Sequence, residues 1–356
     1  MPESQFKLSA FTFAVTEDCN LRCGHCYQER SSVQLAQKSA SRTVDFFQPY
    51  FERECHLKFF GGEPLLAFAR IRQIVDRLKK NDPGGNGKLR YALTSNGRLI
   101  DDEILEFLEE HCFELLLSVN GSPAWFFSLI DVILRRPRLT LAVNAVFTPA
   151  TVHRLTNRIS GLVSGGVSEV LISFSPLRPW GAAALRQLED RLGQLADSLR
   201  PFHRRTGRIP VPIFRPDPHQ GIFACTAGHD RLFLAANGKI WGCSLFNDYF
   251  KIRPATAGYR EFCFGSLADF KRYPQAAGKK KSHYRKLRQD FFSSGESGCA
   301  LCPELEECRV CPVSAAFASG ELGRIPDWLC RLQQIKIHAR RRFLESSGQA
   351  PDRNSA

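Results

Sequence analysis

The sequence predicts an α/β protein built on parallel strands, followed by a smaller domain organised by cysteines. Three observations predict this class. Six apolar strand segments alternate with helical segments over the first two hundred residues, the loops after the first four strands carry cysteine, glycine or asparagine, and eight of the thirteen cysteines come after residue 220. Strands and helices in regular alternation imply parallel pairing with right-handed crossovers.

Each element is predicted from its own pattern. Apolar and β-branched runs predict strands at 8–16, 56–60, 88–94, 113–119, 139–147 and 167–175. Amphipathic spacing predicts helices at 41–53, 65–80, 101–111, 124–135, 151–163 and 182–202. Six such units form either an open doubly wound sheet or part of a (βα) barrel, and in both the functional residues lie at the carboxyl ends of the strands.

The loops at those strand ends carry the chemistry-bearing residues. TEDCNLRCGHCYQER follows the first strand, GGEP (61–64) the second, TSNG (94–97) the third and SVNGS (118–122) the fourth. Because the carboxyl ends of parallel strands share one edge of the sheet, we expect these loops to form one active site.

The chain changes character after the sixth helix. Prolines crowd the segment 206–224, which predicts an extended linker, and Asn237-Gly238 between two apolar segments predicts a β-hairpin. The cysteines beyond show little periodicity, which indicates a region organised by metal. We therefore expect a core at 1–205, a linker at 206–224, a cysteine-rich domain at 225–335, and a helix end with a tail at 336–356.

Composition limits the location of the protein and its partners. The 356 residues are 43% apolar, enough to build a core without disulfides, and no apolar run is long enough to span a bilayer. The first residues lack the zones of a secretory signal, so we expect a cytoplasmic protein in which clustered thiols bind metal. The net charge of +13, concentrated at 271–288 and 340–342, reflects either solvated helix faces or an anionic partner such as an acidic peptide or nucleic acid.

Cys19, Cys23 and Cys26 form a C-x3-C-x2-C pattern in the loop after the first strand. Zinc usually takes four ligands, commonly from two C-x2-C pairs, and no fourth cysteine lies nearby. His25 stands between two of the cysteines, where ligation would strain the loop. We interpret the three cysteines as ligands of a cubane iron–sulfur cluster, in which three thiolates leave one iron open. A zinc site and buried core thiols are the alternatives.

In the cysteine pattern of the first loop and in GGEP, the sequence resembles the radical S-adenosylmethionine (SAM) superfamily. CNLRCGHC (19–26) matches the superfamily's cysteine signature, with His25 in the aromatic position, and GGEP matches its glycine-rich motif. The resemblance covers about 7–202 and implies a partial (βα)6 TIM-like barrel, a [4Fe–4S] cluster on the three cysteines, and SAM chelated at the open iron. Reduction of the cluster would cleave SAM to a 5′-deoxyadenosyl radical that abstracts hydrogen from substrate.

Several residues are candidates for contact with SAM. Glu63 can accept from its ammonium group, and Asn96 or Asn120 can bond its ribose or carboxylate, although Asn-Gly is also a good turn by itself. Gly61 and Gly62 would let the backbone approach a ligand. The candidates taken together are Tyr27, Gly61, Gly62, Glu63, Pro64, Ser95, Asn96, Asn120 and Ser173.

The later cysteines resemble a SPASM domain, the auxiliary-cluster extension of radical SAM enzymes that modify peptides. The resemblance covers about 219–335 and implies one auxiliary [4Fe–4S] cluster on Cys299, Cys302, Cys308 and Cys330, and a second on Cys225, Cys243 and Cys311.

Two departures from the SPASM pattern leave ligands open. Only Arg309 and Val310 separate Cys308 from Cys311, one residue fewer than in the family, which leaves open whether Cys311 belongs to the second cluster. A fourth ligand for that cluster is also missing upstream, and the alternatives are His219, Asp217, Cys263 or an open site. Zinc remains an alternative for the two late C-x2-C pairs, and Cys55 and Cys112 are predicted core thiols.

The resemblance implies maturation of a peptide substrate, with an acidic leader and a reductant such as flavodoxin or ferredoxin as partners. Sulfatase-maturing relatives place aspartate just after the cysteine equivalent to Cys243, where this chain has Ser244. Sulfatase maturation and modification of a small-molecule cofactor precursor are therefore alternatives. An iron–sulfur or zinc protein that binds nucleic acid is the non-enzymatic alternative, but it leaves GGEP unexplained, so no nucleic-acid partner and no membrane are expected.

Overall fold

The computed structural model describes residues 7–82, 89–119, 124–216, 225–254, 259–272, 284, 299 and 302–346. The chain divides into two compact units. The first comprises Met1–Leu116, Arg136–Thr140 and Thr226–Leu287, and the second comprises Leu117–Arg135, Leu141–Cys225 and Arg288–Ala356.

Strands and helices alternate along the described chain. The strands are β1 Leu8–Thr16, β2 Phe51–Gly61, β3 Arg90–Ser95, β4 Glu114–Val119, β5 Thr140–Phe147, β6 Glu169–Phe174, β7 Arg231–Leu234, β8 Ile240–Trp241 and β9 Cys263–Gly265. The helices are α1 Gln37–Phe47, α2 Phe68–Asn81, α3 Asp102–Glu110, α4 Ala124–Leu134, α5 Leu155–Ser164, α6 Ala182–Thr206, α7 Ser244–Ile252, α8 Tyr259–Phe262, α9 Leu267–Arg272, α10 Pro312–Ser319 and α11 Asp327–Glu345.

In the first unit the strand order is β3-β2-β1-β7-β8-β9. The first four of these strands pair in parallel, with Phe13 opposite Phe59 on β2 and opposite Leu234 on β7. The β7–β8 and β8–β9 pairs are antiparallel. Because β1 is central to the parallel strands, the loop that follows it leaves the sheet between the ends of its neighbours.

Aromatic side chains fill the core of the first unit. The ring of Phe11 lies 5.1 Å from that of Phe47 on α1, and Phe59 lies 5.9 Å from Phe13 and 5.8 Å from Phe113. All five side chains are fully buried. Each buried phenylalanine contributes roughly 2 kcal/mol of transfer free energy. These packed side chains therefore stabilise the part of the sheet from which the loops extend.

The second unit contains the parallel pair β5–β6 and the packed helices α6 and α11. Phe343 of α11 contacts His203 of α6, with ring centroids 5.7 Å apart, and lies 5.1 Å from Phe214. Helix α6 continues through Pro201 and ends at Gly207, which adopts a left-handed conformation suited to glycine.

The predicted alternation of strands and helices is confirmed, with shifted ends. The first helix stops at Phe47 and not at residue 53, because Pro49 lies in a 3-10 turn and the following residues extend as β2. The hairpin at Asn237-Gly238 is confirmed.

The prediction that Cys112 is a core thiol was wrong. Cys112 is exposed in the turn after α3, where it adopts a positive φ of 52°, and Phe113 takes the buried position. The predicted domain boundaries stay a prediction.

None of the helices within the described ranges combines the length and the apolarity that a transmembrane span requires.

Candidate functional site

The cysteine loop, residues 17–32, leaves the end of β1 and is closed at its base by backbone pairing. The N–H of Glu17 donates to the carbonyl of Val33 (2.9 Å), and the N–H of Leu35 donates to that of Val15 (2.9 Å). This pairing holds both ends of the loop at one point of the sheet. It reduces the conformational entropy that three ligands on one loop would otherwise lose on binding a common group.

Local hydrogen bonds position the three cysteines. The backbone N–H of Cys19 donates to Asp18 Oδ1 (2.8 Å), and the Cys19 sulfur accepts from the N–H of Leu21 (3.4 Å). The N–H of Cys26 donates to the carbonyl of Cys23 (3.1 Å), which forms a tight turn between these two residues. Cys19 and Cys23 are half-buried and Cys26 is exposed.

The thiols of this loop interact electrostatically. Burial raises the pKa of Cys19 and of Cys23, and the proximity of the Cys26 thiol raises both pKa values further. Three neighbouring thiolates would repel one another, so they are stable together only when cations share the charge. The irons of a cluster supply such cations.

The GGEP segment packs directly on the cysteine loop. The N–H of Gly62 donates to the carbonyl of Thr16 (3.0 Å), and the N–H of Glu63 donates to that of Asp18 (2.7 Å). A Cβ on Gly61 would lie 2.0 Å from the Thr16 oxygen, and one on Gly62 would lie 2.2 Å from the Asp18 oxygen. The glycines therefore allow close contact between two backbones, and the predicted approach to a ligand stays a prediction.

Glu63 joins GGEP to the TSNG loop. Its carboxylate is buried and accepts from the Ser95 hydroxyl (2.8 Å), from the Asn96 backbone N–H (2.8 Å) and from the Leu65 N–H (3.2 Å). Burial raises the pKa of Glu63 despite these bonds. Asn96 Nδ2 in turn donates to Asn20 Oδ1 of the cysteine loop (2.8 Å). Three of the four loops that the sequence singled out are thus bonded to one another.

A buried acid that the sequence did not indicate lies beside the cysteine loop. Asp248 of α7 is 4% exposed and accepts from Asn247 Nδ2 (3.0 Å) and from Gln28 Nε2 (3.4 Å). Burial raises its pKa to about 6. One turn further on, Lys251 forms an ion pair with Glu17 at the start of the loop. Helix α7 therefore supports the loop through two side chains.

In the second unit the strand ends hold two polar groups. The hydroxyl of Ser173, the candidate SAM contact on β6, donates to Asn144 Oδ1 (2.8 Å). Arg158 of α5, which the sequence did not single out, donates to the Val119 carbonyl and stacks 5.5 Å from the ring of Phe147. Burial lowers the pKa of Arg158 to about 10, so the guanidinium stays charged at neutral pH. Its position at the ends of β4 and β5 could be inferred only from the fold.

Four later cysteines come together in the second unit. Burial raises the pKa of Cys330, and the neighbouring thiols of Cys299, Cys302 and Cys308 raise it further. The pKa of Cys308 is likewise raised by burial and by Cys299 and Cys302. These are the four ligands that the SPASM resemblance implies for one auxiliary cluster.

Ion pairs tie the loop of these cysteines to α11. Glu307 accepts from Arg340 (2.6 Å) and from Arg341 (2.8 Å), and Glu304 also pairs with Arg341 (2.7 Å). Burial alone would raise the pKa of Glu307, but the two arginines outweigh it and lower the pKa. Cys330 lies in the first turn of α11, at the opposite end of the helix from these arginines, so the helix links the ligand loop to the fourth ligand.

The remaining cysteines divide between the units. In the second unit burial raises the pKa of Cys311, with a further contribution from the neighbouring Cys225, as expected if both serve one cluster. In the first unit Cys243 caps the N-terminus of α7, and Cys263 is buried in β9 with its sulfur accepting from the N–H of Gly265 (3.4 Å). Cys55 is buried in β2, as predicted for a core thiol.

All of the cysteines are present as thiols and not as disulfides. All thirteen lie in the described ranges. Across those ranges no three Cys, His, Asp or Glu side chains converge closely enough to share one metal ion. Zinc needs every ligand within about 2.3 Å of one ion, whereas the thiolates of a cube bind different irons.

Comparison with known proteins identifies the domain that carries the first group. Residues 13–124, which contain the cysteine loop, GGEP and TSNG, match the model of the radical SAM superfamily. This segment is therefore similar to a radical SAM domain. The chain is 26% identical over 246 residues to the uncharacterized protein MJ0907 of Methanocaldococcus jannaschii, covering 64% of this chain and 82% of that protein.

The chain is also similar to a maturase. It is 30% identical over 122 residues to the cysteine-type anaerobic sulfatase-maturating enzyme of Clostridium perfringens, covering 32% of this chain and 33% of that enzyme. Its fold matches the structure of native anSMEcpe with bound AdoMet and Kp18Cys peptide at a TM-score of 0.75 and 17% identity, covering 95% of this chain and 99% of that one. The chain thus shares its α/β fold with parallel strands with that structure.

Some predicted site residues lie outside the described ranges. These are Asn120, Asp217 and His219, together with most of the basic segment 271–288. Tyr27 follows Cys26 in the described loop, and Pro64 begins the turn after Glu63. The roles of the individual residues in binding SAM and iron remain predictions.

Proposed function

We propose that the chain binds SAM at a [4Fe–4S] cluster held by Cys19, Cys23 and Cys26, and modifies a peptide or protein substrate. When bound, the cluster and SAM supply a 5′-deoxyadenosyl radical that abstracts hydrogen from the substrate. The observation that carries the proposal is the hydrogen-bonded assembly of the cysteine loop, GGEP and TSNG at the carboxyl ends of β1, β2 and β3. It holds three thiols and an adjacent polar surface in fixed positions.

Glu63 and Asn96, near the thiols, are proposed to position the loops and SAM. Glu63 fixes the TSNG loop through Ser95 and the Asn96 N–H, and its remaining lone pairs are available to the SAM ammonium group. The hydrogen bond from Asn96 to Asn20 holds the TSNG turn in place. In this position the turn is proposed to contact ribose or carboxylate oxygens of SAM. The burial of Glu63 keeps water from competing for these contacts.

A peptide substrate is proposed on two supports. A structural relative binds the Kp18Cys peptide, and its fold extends over nearly the whole of this chain. The grouped thiols of Cys299, Cys302, Cys308 and Cys330 support one auxiliary cluster, and the Cys225–Cys311 proximity supports a second with Cys243. Such clusters suit the transfer of electrons to or from a substrate radical, with flavodoxin or ferredoxin as the proposed source of the first electron.

Sulfatase-type maturation is the second candidate, favoured by the similarity to the Clostridium perfringens enzyme. Ser244 is a poor base where those maturases have aspartate. The structure nevertheless places a buried carboxylate, Asp248, on the same helix one turn later. A sulfatase-derived peptide carrying cysteine or serine at the modified position distinguishes the two candidates, because only a maturase converts it to a formylglycine product.

The proposal is tested by anaerobic reconstitution with iron, sulfide and SAM, followed by a reductant. We expect 5′-deoxyadenosine, its loss in Cys23→Ala, and SAM affinity about tenfold weaker in Glu63→Gln, since an amide cannot accept all three donors. Glu103→Gln, at an exposed residue of α3, is the matched control and should retain the affinity. Absence of 5′-deoxyadenosine from the iron-loaded wild type would overturn the proposal.

A further inference from the structure

A pocket outside the cysteine loop has the character of an anion site. It lies in the first unit between β8, α7 and Tyr259, has a volume of about 370 Å³, and is lined by residues that include Lys239, Trp241 and Lys251. Of the described residues that line it, none is acidic. Among the described lining residues Lys251 is already paired with Glu17, so Lys239 supplies the charge that attracts a negative group.

The second observation is a buried donor without an acceptor. Trp241 is 2% exposed, and its indole N–H has no hydrogen-bond partner among the described residues. A buried N–H left unsatisfied costs about 1–3 kcal/mol, so an acceptor that enters the pocket would recover this free energy. The Trp241 ring packs against Phe250 and Tyr259, with ring centroids 5.8 Å and 5.3 Å away. These ring contacts do not supply an acceptor for the indole N–H.

The walls of the pocket show which anion it suits. Phe250 and Tyr259 present ring surface, and Lys239 Nζ lies 5.2 Å from the Tyr259 ring centroid while bonding its hydroxyl. Phosphate groups are usually held by arginine forks or by the N–H groups of a helix N-terminus, and no arginine appears among the lining residues that the structure describes. Aromatic walls with lysine donors suit a carboxylate attached to an apolar chain.

We infer that this pocket binds an acidic peptide by taking the carboxylate of a glutamate or aspartate side chain between Lys239 and the Trp241 N–H. The choice of a peptide rests on the proposed function. The pocket also adjoins the support of the cysteine loop, because Lys251 pairs with Glu17 and Asn247 bonds Asp248. An acidic peptide bound there would be held next to the loop that carries the three thiols.

The test measures binding of acetyl-Glu-Leu-Glu-Glu-Leu-Glu-amide to the iron-loaded protein by anaerobic calorimetry, without SAM or reductant. We expect saturable binding, about tenfold weaker for the glutamine analogue of the peptide and for Lys239→Gln. Lys80→Gln, an exposed lysine of α2, is the matched control and should bind as the wild type does. Iron content and circular dichroism establish that each variant is folded.

A second measurement follows the indole directly. With ¹⁵N-labelled tryptophan, the N–H signal that Trp241→Phe removes should shift downfield when the acidic peptide binds. Equal binding of the glutamine peptide, equal binding by Lys239→Gln, an unmoved Trp241 signal, or tighter binding of pyrophosphate than of the peptide would each overturn the inference. SAM cleavage is scored separately, so an enzyme that cleaves SAM but ignores the acidic peptide retains the proposed function and loses only this pocket.

Discussion

At the residue scale, the sequence pointed to residues that the structure brings together in three loops, but it did not show the contacts that they make. C-x3-C-x2-C and GGEP predicted a cluster and a glycine-rich contact. The structure shows that Gly61 and Gly62 are needed because the carbonyls of Thr16 and Asp18 lie where side chains would stand. That contact joins residues more than forty positions apart, which no local pattern reveals.

Gly62 gives a sharp test of this contact. Gly62→Ala places a Cβ 2.2 Å from the Asp18 carbonyl oxygen, a backbone atom that cannot rotate away, whereas a Cβ on Gly24 of the cysteine loop meets nothing within 4 Å. We expect Gly62→Ala to lose the first cluster, about four irons per chain, and Gly24→Ala to retain it. Iron analysis with circular dichroism checks this, and equal iron in both variants would contradict the assigned role.

Asp248 predicts a pH dependence of stability. Burial raises its pKa from 3.8 to about 6, so between these values the folded state holds a proton that the unfolded chain has released. The stability that this residue contributes is present below about pH 4 and is lost as the pH rises to 6.

The wild-type free energy of unfolding, relative to that of Asp248→Asn, should therefore fall by about 1 kcal/mol between pH 5 and pH 8. Urea unfolding followed by circular dichroism measures it. Asp190→Asn, at an exposed residue of α6, controls for the loss of a negative charge. If the difference in unfolding free energy between the wild type and Asp248→Asn stays constant with pH, the pKa of Asp248 is not raised by folding.

At the element scale, periodicity located the six strand–helix units, and the errors occurred where a single residue overrode it. Pro49 ends the first helix early, and the residues after it extend β2 toward its N-terminus. Cys112 was predicted to be buried because apolar residues surround it, but it occupies a turn with positive φ. The role of α11 also escaped prediction, because its arginines look like a solvated basic face in sequence and are ion-paired in the fold.

This ion-pair network leads to a prediction for the auxiliary cluster. Glu307→Arg removes the acceptor of Arg340 and Arg341 and introduces like-charge repulsion beside the loop that carries Cys302 and Cys308. We expect loss of about four irons per chain with the first cluster retained.

The charge-swapped pair Glu307→Arg with Arg340→Glu should recover part of that iron, because it restores an attractive contact. Glu306→Arg, at a neighbour in the same loop, is the control. Iron analysis of the four proteins decides between the alternatives. If Glu307→Arg holds as much iron as the wild type, the network does not position the cysteines.

At the scale of the whole molecule, the α/β class follows from the order of elements in the sequence, and the comparisons confirm it. The cysteine-rich extension stays a prediction from the order of the cysteines. The grouping of Cys299, Cys302 and Cys308 with Cys330 depends on α11, and no spacing rule alone fixes it. The pocket at Lys239 and Trp241 could not be foreseen either, since its residues belong to β8, α7 and a later segment that meet only in the folded unit.

The central claim is that three thiolates hold a cluster with one iron available to SAM. Electron–nuclear double resonance on the reduced, iron-loaded protein tests it directly, with SAM carrying ¹⁵N in its amino group and ¹⁷O in its carboxylate. The account predicts hyperfine coupling of both nuclei to the cluster, and loss of both couplings in Cys23→Ala. A reduced cluster in the wild type that shows no coupling to either nucleus would contradict it.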